Sequence, residues 1–172
     1  MNITDTYIIQ FSGLAEGKNS FDYVLDNVFF DVFDYKDSKD SNIEVNLELH
    51  KQQNMMILDF SFSGYMTFEC DRCLEDYKQH ISGKERLLVK FGENPTEEND
   101  EVIILSPADH QINISKFIYD SIILLLPYRK IHPEDEHGKS NCKPLFIEQL
   151  NKLSTHNNSD PRWESLKQYI KK

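Results

Sequence analysis

Along the first half of the chain, apolar and polar residues take turns. Ile43, Val45, Leu47 and Leu49 are separated by Glu44, Asn46 and Glu48, the period of two expected of a strand with one buried face. Ile43 to Lys51 therefore predicts a strand. Asn54, next to Gln52 and Gln53, suits a hairpin turn, after which Met56, Leu58, Phe60 and Phe62 resume the alternation. Tyr65, Thr67 and Glu69 carry that strand past Gly64, where the glycine predicts a bulge or bend. Phe21, Tyr23 and Leu25 alternate within Ser20 to Leu25, and Thr6 to Phe11 is β-rich. Tyr77 to Phe91 reads extended, and Val102 to Leu105 reads as a short strand. Between these, Asn27 to Phe33 is dense in phenylalanine and predicts a short helix or turn that plugs a core.

The period then changes. Phe117, Ile118, Ile122 and Leu125 recur at helical spacing, with Ser115 placed as N-cap and Pro127 as the stop. Leu124 and Leu126 widen the apolar face, so this helix is expected to be broadly buried. Tyr128 to Lys143 is polar and irregular, and Leu145 to Leu153 can form a short helix. Asp160 and Pro161 open a last helix on which Trp163, Leu166 and Ile170 share a face. Strands come first and helices late. The expected class is α+β: an antiparallel β-meander, as a sheet or partly open barrel, packed with a buried helix and short C-terminal helices. Residues 1–172 are expected to form one domain, with an acidic mobile loop at 92–101 and a helical tail from about 143 to 172.

Composition narrows the function. The chain has 172 residues and a formal net charge of −10, so its overall field repels nucleic acid and suits a basic protein partner. No apolar run approaches the roughly 20 residues that cross a bilayer. MNITDTYIIQF lacks the basic and apolar regions of a signal peptide. Three cysteines are an odd number for a disulfide framework. A cytoplasmic protein without a membrane partner is expected. No dinucleotide, phosphate-loop, metalloprotease or nucleophile-elbow motif occurs, and the carboxylates gather in runs such as Glu97–Glu98 and Glu134–Glu136 that read as solvated loops. No catalytic residue stands out, and a non-enzyme is expected.

The remaining chemistry lies in FECDRCLEDY, where Cys70 and Cys73 stand at C-x-x-C spacing. A redox dithiol needs the first cysteine at a helix N-terminus, and here a strand-like run follows. Zinc needs about four ligands. Cys142 is a third thiol, and His132 and His137 lie in the same polar segment, so a Cys3His site would pin that segment onto the strand turn. Ordinary packing cysteines at a turn remain the alternative. A local exception to the acidity is the closing stretch, where Arg162, Lys167, Lys171 and Lys172 accompany Trp163 and Tyr169. Basic and aromatic residues together can bind RNA, although Trp163, Leu166 and Ile170 also fit a face docked on the core. Arg72, inside the cysteine turn, joins Arg162 and Lys167 as a candidate partner- or RNA-contacting cation.

FECDRCLEDY, then INISKFIYDSIILLLPYRKIH, then Cys142, resembles the YceD family of large-subunit ribosomal RNA accumulation proteins. The resemblance rests on Cys70, Arg72, Cys73, Asp120, Leu126, Pro127, His132 and Cys142 in that order, and on the closing DPRWESLKQYI. It runs from about Ile43 onward, with a looser N-terminal part. It implies support of 23S ribosomal RNA accumulation and large-subunit assembly, with a precursor particle or basic ribosomal protein as partner. It also implies that Cys70, Cys73, His132 and Cys142 are recurring positions of a zinc site. Many relatives carry a further cysteine in the later segment. Here a complete site has to recruit His132 or His137. Direct RNA binding through the C-terminal helix and Arg129–Lys130 is the competing reading, and a thiol-redox protein a third.

Overall fold

The computed structural model describes residues 3–92, 102–134, 138 and 140–154. They fall into two compact units: Met1–Glu69 with Asp76–Lys130, and Cys70–Glu75 with Ile131–Lys172.

The first unit is built on a five-stranded sheet in the order β2-β3-β4-β5-β6. Its strands are β2 (Gly17–Leu25), β3 (Asp40–Lys51), β4 (Met55–Glu69), β5 (Asp76–Phe91) and β6 (Val102–Leu105). Strands β2 to β5 form an antiparallel meander. Strand β6, in contrast, lies parallel to β5, with Leu88 opposite Val102 and Phe91 opposite Leu105. The expected all-antiparallel meander is thus corrected at its last strand. A parallel neighbour cannot be reached by a hairpin, and the acidic stretch 92–101 is the chain that joins the two; residues 93–101, where the mobile loop was expected, lie outside the described residues. The sheet is open and is not a barrel.

One face of this sheet is the core. Ile43, Val45, Leu47 and Leu49 of β3, Met56, Leu58, Phe60, Phe62, Met66 and Phe68 of β4, and Leu87 and Val89 of β5 are all buried. The alternation passes through Gly64 without a slip. The pairing of β4 with β3 and β5 keeps one register from end to end, so there is no bulge, and Met66 and Phe68, not Tyr65 and Thr67, continue the inner face. Gly64 answers a different need. Its φ is +155°, and a Cβ there would lie 2.1 Å from the Asn42 carbonyl oxygen and 2.7 Å from the Ile43 Cα.

Helices cover the inner face. Asp26 caps α1 (Asn27–Asp31) by accepting from the Val28 and Phe29 N–H groups at 3.0 and 3.3 Å, and α1 buries Phe29 and Phe30. Helix α2 (Ser115–Leu125) follows a short pair of strands, β1 (Ile8–Ile9) and β7 (Ile112–Asn113). Thr6 to Phe11, read as β-rich, holds only the two-residue β1, with 3-10 turn at Thr6, Tyr7 and Phe11. The cap of α2 is also displaced: Asn113 Oδ1 accepts from the Ser115 N–H at 2.9 Å, and Ser115 is itself the first helical residue and buried. Ile118 and Ile122 point into the core, while Phe117 meets Phe60 at 5.0 Å between ring centroids. Gly83 of β5 leaves the space that the Leu125 side chain fills. The broad burial expected of α2 does not hold, since Leu124 is 84% exposed. An eleven-residue helix on a flat sheet buries a single stripe.

In the second unit, Cys70–Glu75 is a tight turn and Glu134 bridges Ser140 in antiparallel fashion. Helix α3 (Pro144–Ser154) matches the expected Leu145 to Leu153. The final helix expected to carry Arg162, Trp163 and Lys167 falls on residues outside those described, as does His137. Among the described residues, no helix is long and apolar enough to cross a membrane.

Candidate metal centre

The cysteine turn is held by its own backbone. The Cys70 N–H donates to the Glu75 carbonyl and the Leu74 N–H to the Cys70 carbonyl, both at 2.9 Å. Leu74 takes a φ of +57° to close it. This curl brings Sγ of Cys70 and of Cys73 to the same side. The second segment supplies the rest. The Cys142 N–H donates to Ser140 Oγ at 3.3 Å, so the strand-like bridge that places Ser140 also places Cys142.

The result is one cluster of Cys70, Cys73, His132 and Cys142, whose ligand atoms all lie within 4.8 Å of one another. Cys70 Sγ is 3.7 Å from Cys142 Sγ, Cys73 Sγ is 3.4 Å from His132 Nδ1, and Cys142 Sγ is 3.7 Å from the same nitrogen. Two sulfurs bound about 2.3 Å from one zinc ion at the tetrahedral angle are roughly 3.8 Å apart, and a sulfur and a nitrogen roughly 3.6 Å. The four residues therefore fit a closed structural zinc site, with His132 as the fourth donor beside three thiols. All three thiols are buried.

Their proton affinities diverge. Burial alone would raise the Cys70 thiol, but N–H donation from Arg72 and Cys73, together with His132, outweighs it and lowers the group to about 6. The Arg72 N–H lies 3.4 Å from Cys70 Sγ. Burial raises Cys73, reinforced by the Cys70 and Cys142 thiols and only partly offset by N–H donors at Glu75 and Lys143. Donors aimed at sulfur stabilise a thiolate and are the usual support of a metal ligand. The sequence carried no sign of this support, since it comes from backbone N–H groups. Nor did it show that Lys143 would form an ion pair with Glu75, a second link between the two segments of this unit.

The other candidate cations are placed unevenly. The structure assigns Arg72 a backbone role at Cys70, and its side chain is half-exposed. Lys130, read as an RNA contact, is mostly buried; it donates to Asp37 Oδ2 at 2.7 Å and lies 4.7 Å from the centre of the Phe68 ring. Its charge is committed inside the first unit.

A mixed open sheet with one helical cover and a Cys3His cluster on a strand-connecting turn defines the class. Residues 58–169 match the family described as the large ribosomal RNA subunit accumulation protein YceD, and the chain belongs to that family. The match starts within β4, later than the Ile43 suggested by the sequence motifs, and it contains all four residues of the cluster. No curated protein and no solved structure matches the chain. The family's name ties it to accumulation of large-subunit ribosomal RNA.

Proposed function

We propose that this protein is a non-catalytic factor that supports 23S ribosomal RNA accumulation by binding a large-subunit precursor particle in the cytoplasm, with zinc as a structural clamp. The observation that carries the reading is the family match over residues 58–169, with all four cluster residues inside it. The three thiols and the imidazole use up their donor atoms on one another's neighbourhood and leave no open coordination position for a substrate, the arrangement of structural rather than catalytic zinc. A redox role is less well supported: after Cys73 the chain enters β5, not a helix, so no helix dipole stands behind either thiol.

The acidity of the chain suits basic ribosomal proteins on such a particle. The test is sedimentation of cell extract at low and moderate salt. The protein is expected with large-subunit precursors at low salt and is expected to leave them as salt rises. Recovery in the free fraction alone at low salt overturns the reading.

A further inference from the structure

The outer face of the sheet in the first unit is not uniform in charge. Alternate residues of β5 that point away from the core are Asp76, Lys78, His80, Ser82, Lys84, Arg86, Leu88 and Lys90. Lys78, His80, Lys84, Arg86 and Lys90 are exposed. Directly across on β4 stand Thr67 opposite Lys78, Tyr65 opposite His80, Ser63 opposite Ser82, Ser61 opposite Lys84, Asp59 opposite Arg86 and Met55 opposite Lys90. In these two columns the acids are Asp59, which pairs with Arg86 at 2.6 Å, and Glu69 opposite Asp76, a pair that Lys39 bridges at 3.4 and 2.5 Å. Among the described residues, Lys84 and Lys90 have no ion-pair partner. The Lys78 ammonium lies 3.8 Å from the centre of the Tyr65 ring. The remaining acids of this face lie on β2 and β3, as Asp22, Asp40, Glu44 and Glu48, and Asp40 accepts from the Tyr65 hydroxyl at 3.3 Å.

In a chain of net charge −10, this face places Lys78, Lys84 and Lys90 opposite neutral neighbours on β4, Thr67, Ser61 and Met55. Residues two apart on a strand repeat about every 6.8 Å, so Lys78 to Lys90 spans roughly 40 Å. A polymer of regularly spaced negative charge matches such a line, and the phosphate backbone of an extended single strand of RNA is one. Tyr65 and His80, side by side in the line, add flat faces for bases. The acids on β2 and β3 repel the same backbone and keep it on β5. A folded protein partner would need complementary acids in one long row and gains nothing from the neutral Thr67, Ser61 and Met55 of β4.

We infer that the outer face of β4 and β5 binds single-stranded RNA along its sugar–phosphate backbone, with Lys78, Lys84, Arg86 and Lys90 as phosphate contacts and Tyr65 as a stacking platform. This rests on the proposed action on a precursor particle and names the RNA as the part of it that is touched.

The test uses the full chain and a fluorescent oligouridine of about 12 nucleotides, within the range of site sizes for such grooves, read by anisotropy. Four phosphate contacts give a salt slope of about −2.8, so raising salt from about 50 to 200 mM should weaken binding roughly 50-fold. The triple variant Lys78→Glu, Lys84→Glu, Lys90→Glu should bind at least about tenfold more weakly at the lower salt, with a flattened slope. The variant Glu44→Gln, Glu48→Gln should bind more tightly, an effect that misfolding cannot mimic. Equal binding by wild type and the triple variant, or no binding by wild type at low salt, overturns the inference. Sedimentation of the same proteins separates the two readings. Wild type that sediments with precursors yet binds no oligouridine leaves the assembly role standing and refutes the RNA face. A triple variant that loses precursors, when the wild type never bound RNA, assigns the face to a protein and also refutes it. Wild type found only in the free fraction removes the assembly role itself.

Discussion

Removing the metal should open the second unit while the sheet of the first unit keeps its own core. Among the described residues of the second unit, the buried side chains are the three cysteines, at 0, 1 and 5% exposure. Leu145, Phe146, Leu150 and Leu153 of α3 are exposed. Burying three small side chains contributes on the order of a few kcal/mol. Each ordered residue costs about 1–2 kcal/mol of backbone entropy, so segments 70–75 and 131–142 are not held by thiol burial alone. Structural zinc contributes about 10–16 kcal/mol in small zinc-binding peptides at neutral pH, several times more than the thiols. The protein purified without chelator is therefore expected to carry close to one zinc per chain, and Cys70→Ser, Cys73→Ser none. Hydrogen exchange read by mass spectrometry should show protection lost in 70–75 and 140–154 after chelation, and retained in β3 and β4. Chelated protein with protection unchanged in those segments, or a double mutant that still carries zinc, refutes the reasoning.

Other perturbations test the frame and the thiols. Gly64→Ala should destabilise by roughly 3 kcal/mol, because its Cβ meets backbone that has no room to yield and its φ is strained; a shift in denaturation midpoint worth less than about 1 kcal/mol counts against the close approach. Ile118→Ala should cost about 2–5 kcal/mol and Leu124→Ala under about 0.5 kcal/mol, and comparable costs from thermal melts would mean that α2 is rotated from the orientation described. Burial raises the phenols of Tyr7, Tyr23 and Tyr35 above their usual range. A raised folded value gives stability that is present below the unfolded value and is lost as pH rises through the folded one, so stability should fall above about pH 10; a flat profile there removes the buried-phenol account. Iodoacetamide should spare Cys70 in the metal-loaded protein and modify it after chelation, since its thiol is buried in the closed turn and becomes accessible when the second unit opens. Equal rates before and after chelation would show that no ion covers it.

Much of the frame was legible because period-two alternation is a direct imprint of one buried face. Ile43 to Leu49 and Met56 to Phe62 face inward as the pattern requires. The phase beyond Gly64 was misread, since Tyr65 and Thr67 look as strand-like as Met66 and Phe68, and only the unbroken register distinguishes them. The parallel placement of β6 left no mark, because Val102 to Leu105 is half-buried throughout and carries no alternation. The N-cap position of α2 is Ile114 and not Ser115, and Asn113, one residue before it, accepts from the Ser115 N–H, because the helix start depends on where β7 ends. The ligand set was readable as residue types in two segments. The meeting of Cys142 with Cys70 across 72 positions of sequence was not, nor were the N–H groups that tune the thiols.

The same cluster can be weighed as a redox pair or as a clamp, and the third thiol decides. A working dithiol needs one reactive sulfur and one resolving partner, with nothing else in reach. Here Cys142 Sγ stands as close to Cys70 as a bonded ligand pair would, and His132 touches both Cys73 and Cys142. In a redox centre this crowding opens competing disulfides; around a metal ion it completes a tetrahedron. The lowered Cys70 serves either chemistry, but the raised Cys73 keeps its proton near neutral pH until something displaces it. A divalent cation does so, and its binding should release that proton. On the proposed reading, two thiolates from one tight curl form half of a clamp, and His132 and Cys142 supply the other half.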